Sequence, residues 1–212
     1  MRYAAARWIT LGLFATAAVP MCNAYAQAAL RPPPLTANDI DIIVALERVE
    51  DRRDFDTLTI RRAMSSNHGE VRRRAALTIA RLYDMRGRQL LRGMRSEPDT
   101  AVLATVVWAT GQLVDTAAVP WLDSLLQSPG TPIGIATEAA GAFGKIRTAD
   151  THAALGRYLS NASTSQRTVP VVSEAVLSVG RHETPVSLEW LSRWSMPNID
   201  QRVRWRTAWS LA

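Results

Sequence analysis

A short apolar segment recurs five times in this chain, always with a small residue at the same place. The matches begin at Val71, Val102, Ile135, Val171 and Val203 (VRRRAALTIARL, VLATVVWATGQL, IATEAAGAFGKI, VVSEAVLSVGRH and VRWRTAWSLA), spaced by 31, 33, 36 and 32 residues. With the first residue of each as position zero, position nine is Ala80, Gly111, Gly144, Gly180 and Ala212. A recurrence of this length marks stacked supersecondary units rather than one globular core. Positions 0, 4, 8 and 11 fall within about 80° of one another on a helix that turns about 100° per residue. They read Val71, Ala75, Ile79 and Leu82 in the first match, and Ile135, Ala139, Phe143 and Ile146 in the third. That is a core stripe. Position five (Ala76, Val107, Ala140, Val176, Ala208) widens it, and the small position nine permits close approach of a second backbone.

A shorter helix is expected before each match: Asp56 to Ser65, Gln89 to Arg95, Ala117 to Gln127, Thr151 to Leu159 and Pro185 to Trp194. Each unit is then a helical hairpin. None can bury its apolar face alone, so the units must stack. Asp99, Thr168 and Asp200 each stand three residues before position zero, where an N-cap belongs, and Thr131-Pro132 serves one residue earlier. Ahead of the repeats, Ile40, Ile43, Leu46 and Val49 define an opening helix from about Asn38, capped by Thr36 or Asn38. Strand-like alternation is nearly absent. The fold class expected is all-α, an α-solenoid of about five stacked hairpins over 38–212.

Glu70-Val71-Arg72 through Ala80, and the junction Leu113-Val-Asp-Thr-Ala-Ala-Val-Pro-Trp-Leu122, resemble bacterial HEAT repeats of the phycobilisome-lyase type. The likeness covers about residues 37–212. His68 and Gly69 depart from the usual Asp and Pro, and Arg follows position zero only in the first and last units. Tetratricopeptide repeats have a similar period, but their Trp, Leu-Gly and Tyr signature is not visible. The stretch Ile42 to Asp56 is also similar to the start of exported proteins in which HEAT repeats precede a cyclophilin-type prolyl isomerase domain. That resemblance implies a second reading: the N-terminal arm of a longer periplasmic isomerase whose catalytic domain lies beyond residue 212. The fifth match stops at its position nine, which makes a natural continuation the expectation.

The first 26 residues are of another kind. Arg2 and Arg7 precede an uncharged run, Trp8 to Val19, and Ala24-Tyr25-Ala26 offers a small-x-small cleavage site. This reads as a secretory signal peptide. The run is shorter than the ~20 residues of a spanning helix, and Pro20 closes it. Cys22, the one cysteine, lacks the small preceding residue of a lipobox, since Met21 stands there. A lone cysteine excludes an internal disulfide framework and any Cys-based zinc site. Residues 27–37 form a Pro-rich linker. The mature protein is expected in the periplasm.

No HExxH, P-loop or GxSxG pattern occurs, so no catalytic, cofactor or metal residue is named. His68, His152 and His182 share no repeat offset and read as solvated or capping. The acid pairs Asp39/Asp41 and Asp54/Asp56 read as caps and ion-pair partners. Positions 2, 3, 6 and 10 of the repeated helix point away from the core, and in the family resembled they line the inner face. Exposed Trp beside Arg is the composition of binding hot spots. The partner-binding candidates are Arg73, Arg74, Arg81, Trp108, Lys145, Arg181, Trp205 and Trp209, facing another protein or an extended peptide.

The chain carries a net charge of +6 from 25 basic and 19 acidic residues, and Lys145 is its sole lysine. Ten Arg fall in residues 61–95 against Glu70 and Asp84, a local +8. Such a patch suits an anionic envelope surface; export argues against nucleic acid, and the Arg of 72–74 fan too widely for one tight patch. The address is directly testable. Intact-mass measurement on the secreted protein is expected to start at Gln27, and a mass that retains Met1 overturns the leader assignment.

Overall fold

The computed structural model describes residues 33–212, and the leader, Cys22 and most of the linker lie outside them. Residues 33–36 have no regular structure, and α1 (Ala37–Arg52) starts inside the expected linker, one residue early. Its cap is reciprocal. Asp39 N–H donates to Thr36 Oγ1 at 3.2 Å, and Thr36 N–H donates to the Asp39 carboxylate at 3.0 Å.

Five hairpins follow. The first helices are α2 (Thr57–Met64), α4 (Gly87–Arg92), α6 (Val119–Gln127), α8 (Ala149–Asn161) and α10 (Leu188–Ser192). The second helices are α3 (Gly69–Leu82), α5 (Thr100–Gln112), α7 (Ile133–Ile146), α9 (Val169–Val179) and α11 (Gln201–Leu211). Short 3₁₀ turns precede α6 and α9 and follow α10. No strand occurs among the described residues. The chain is an α-solenoid, with each second helix packed on the next.

Caps explain most of the starts. Asp56 accepts from Leu58 N–H and Thr59 N–H, His68 Nδ1 from Glu70 N–H, Asp99 from Ala101 N–H and Val102 N–H, and Asp200 from Arg202 N–H. Two expected caps fail. Pro132, not Thr131, sits at the boundary of α7, with no side-chain cap. Thr168 already has helical dihedrals at the end of a 3₁₀ turn, so its hydroxyl donates backwards to the carbonyls of Ser163 and Ser165. The stops are uniform in the first three units. Tyr83, Val114 and Arg147, all at position twelve, have left-handed φ of 56°, 51° and 50°, as does Arg53 after α1.

The expected stripe is the core. Val71, Ala75 and Ile79, Val102, Val106, Thr110 and Leu113, and Ile135, Ala139, Phe143 and Ile146 are all buried. Leu82 is the exception, half-exposed at the outer end of α3. Position nine does what its size suggests. A Cβ on Gly111 would lie 2.7 Å from Ala142 Cα, one on Gly144 3.0 Å from Ser178 Cα, and one on Gly180 2.9 Å from Ser210 Cα. Position nine of each unit therefore meets position seven of the next.

First helices touch one another far less than second helices do. Long side chains either cross that wider gap or cap carbonyls at helix ends. Arg88 donates to the carbonyls of Leu113 and Val114, Gln127 to that of Ala154, and Arg193 to those of Ser160 and Ala162. Arg92 Nε donates to the buried Asp115 at 2.8 Å.

Two glycines should separate the roles of size. Gly144→Ala is expected to cost about 1–3 kcal/mol by overpacking against Ser178. Gly134→Ala, with nothing within 4 Å of the added Cβ, is expected to be neutral or to stabilise by up to about 1 kcal/mol. Urea unfolding of both variants checks this.

Candidate functional site

Residues at positions 2, 3, 6 and 10 of the second helices share one face, the face of the more closely packed layer. Seven of the eight predicted candidates are on it, in unlike settings, and Arg181 stands just past its end. Arg73 donates through Nε and Nη2 to Glu70, both at 2.7 Å, and Arg74 Nε donates to the same carboxylate at 3.0 Å. Arg81 Nη1 donates to Glu50 of α1 at 2.9 Å, and the Thr78 hydroxyl donates to its other oxygen. Arg181 follows the end of α9 rather than lying on it, 3.7 Å from Glu174. Arg206 Nη1 donates to Glu174 at 3.0 Å. Hydrogen bonds from Arg73 and Arg74, opposed by burial, hold the Glu70 carboxyl below its usual range.

The aromatic candidates divide into two kinds. Trp108 is half-buried, with the Lys145 ammonium 5.4 Å from its ring centroid. Trp205 and Trp209 on α11 stand 70% and 55% exposed. Trp205 borders a cavity of about 480 Å³ with Pro170, Ser173, Glu174, Arg206 and Thr137. The volume lies within the range of ligand pockets. One aromatic plate, one proline, and hydroxyl and charged groups around them can take an apolar side chain and orient the chain that carries it.

Sequence reasoning searched this face for Arg and Trp and overlooked its acids. Glu138 and Glu174 both occupy position three, one repeat apart, and that shared offset was the available signal. Burial pushes the Glu138 carboxyl up and the Lys145 ammonium down, each softened by the other.

The arginines of 61–95 do not form a free basic patch. Arg72 pairs with Glu97, Arg73 and Arg74 with Glu70, Arg81 with Glu50, Arg86 with Asp84 and Arg92 with Asp115. Arg62 donates to Asn38, Arg88 caps carbonyls, and Arg95 lies over Trp121 at 5.2 Å. Glu50, Glu97 and Asp115 lie outside the window in sequence, so counting charge within the window exaggerated it. Among the described residues no helix is long and apolar enough to cross a membrane.

Residues 57–138 match the family model of HEAT repeats, which takes in the first two hairpins and the opening of α7. No curated protein matches the chain. That segment is similar to HEAT repeats, and helical hairpins continue after it.

The histidines require one correction. His68 caps α3 as expected, but His152 and His182 are not solvated. Their rings lie 5.2 Å apart, and His152 lies 5.1 Å from Trp190. Both Nε2 atoms are buried without a hydrogen-bond partner. Trp190 settles on Gly156, where an added Cβ would meet its ring at 2.4 Å. The contact was invisible in sequence because it joins α8, the turn after α9, and α10. Burial lowers the His152 pKa, and burial, His152 and Arg147 push His182 down to about 4, with a bond to the Phe143 backbone opposing. Unfolding restores an ordinary value near 6.5. The unfolded chain then binds protons that the folded chain refuses. This contribution to stability is full above pH 6.5 and is lost as pH falls through that value toward about 4. The urea midpoint is expected to fall over that window, and the fall should be shallower in His182→Phe. Parallel curves for the two proteins would contradict the assignment.

Proposed function

We propose that this array of HEAT repeats is a non-catalytic scaffold that holds another protein or an extended peptide against the layer of second helices. The observation that carries the reading is the exposed Trp205 at the mouth of the cavity shared by α7, α9 and α11. An indole that stands 70% exposed beside fixed charges is a large apolar surface without a partner, and such residues dominate binding energy when covered. Trp108 and Lys145 extend the same face by a further repeat. Export through a leader ending at Ala26 places this scaffold in the periplasm.

Docking on an anionic envelope surface through 61–95 is the weaker reading, because the arginines there are engaged with the protein itself. Salt separates the two. A complex anchored by indoles should weaken little between low and physiological salt, whereas a charge-driven one should weaken steeply. For a cross-linked and identified partner, Trp108→Ala with Trp205→Ala is expected to reduce affinity by about tenfold or more, with helicity unchanged. Equal binding by the double variant would refute the use of this face.

A further inference from the structure

Most charges on the binding face are already satisfied. Arg73 and Arg74 share Glu70, Arg81 holds Glu50, and Arg181 and Arg206 flank Glu174. Two are not. Glu138 and Lys145, both on α7 and both half-buried, have no ion pair or hydrogen bond among the described residues, and Lys145 has only the Trp108 ring. They are seven residues apart on one helix, which is two turns and about 10 Å. They attract one another across that span without forming an ion pair. Lys145 is held by its surroundings: its stem passes Gly111, whose added Cβ would meet Cδ at 3.5 Å, and its ammonium lies over Trp108.

Between the two charges, position six is empty. Other units carry Leu77, Trp108, Leu177 or Trp209 there, but the third carries Gly141. Gly141 is buried, and an added Cβ there would lie 3.4 Å from the Glu174 carboxylate, so the Glu174 side chain covers the helix backbone at this point. The face here consists of a cation on an indole, the Glu174 side chain lying across the helix, and an anion.

We infer that this part of the face receives an extended partner segment with one acidic and one basic residue three positions apart, the acid on Lys145 and the base on Glu138. In the polyproline II form of an extended chain three residues make one turn and rise about 9 Å, so both charges lie on the same side of the segment at nearly the span of two turns of α7. The inference rests on the scaffold reading and specifies its partner. Both charges are partly desolvated, and an opposite charge on each restores what water has lost.

The test uses the full chain and four fluorescein-labelled decapeptides in a Gly/Ala background, read by fluorescence anisotropy at low salt. One carries Glu and Lys three positions apart; the others replace Glu, Lys or both by Gln. The paired peptide is expected to bind about tenfold tighter than either singly charged one. Glu138→Gln and Lys145→Gln should each remove that preference. The exchange Glu138→Lys with Lys145→Glu should restore it, because the peptide can lie in the opposite direction. Circular dichroism confirms that each variant keeps its helices. If all four peptides bind alike and Trp108→Ala abolishes binding, the charge pair is refuted and the scaffold face stands. Binding by none at millimolar concentration refutes the charge pair and leaves the scaffold to be judged by its identified partner.

Discussion

Backbone contact between successive second helices sets the geometry on which the rest of the molecule depends. Gly111, Gly144 and Gly180 bring each second helix against Ala142, Ser178 or Ser210 of the next, at separations that leave no room for a Cβ. Once that layer is fixed, the first helices stand farther apart, and their gap has to be crossed by something long. Arginine does this work. Its planar fork reaches two acceptors at once and keeps its charge at any pH the protein meets. Arg92 and Arg193 each reach beyond their own hairpin through two donors, and Arg88 uses two to close the end of its own.

Local periodicity was legible because it repeats. The stripe from Val71 to Ile79 and its counterparts followed from helix geometry, and the structure buries them. Helix starts were legible where an Asp or a Thr had extended dihedrals and a free side chain, as at Asp56, Asp99 and Asp200. They were not legible where a 3₁₀ turn ran into the helix, as at Thr168. The pairing of His152 with His182 was hidden for a different reason. It depends on how three successive elements pack, and no offset within a repeat encodes it.

Charge illustrates the same limit. A window of sequence counts every arginine but sees only the acids inside it. Glu50, Glu97 and Asp115 lower its charge from +8 to +5 from outside because stacking joins residues about one repeat apart. The candidates on the binding face were recoverable by type and offset, as Trp108, Lys145 and Trp205 show. The acids beside them were recoverable by offset alone, and Glu138 and Glu174 alter the chemistry that the face presents.

The left-handed stops at position twelve have a thermodynamic consequence. Tyr83, Val114 and Arg147 adopt a conformation that glycine or asparagine would enter more cheaply, and Val114 is β-branched, which makes it the least suited of the three. Each such residue costs about 1–2 kcal/mol, in a class of molecule whose net stability is about 5–15 kcal/mol. In a globular domain one strained turn is an isolated defect. In this array the defect recurs in the first three units and not in the fourth, so the backbone strain falls on the N-terminal side of the solenoid. With similar interfaces along the array, the strained units are the ones that stand nearest to opening.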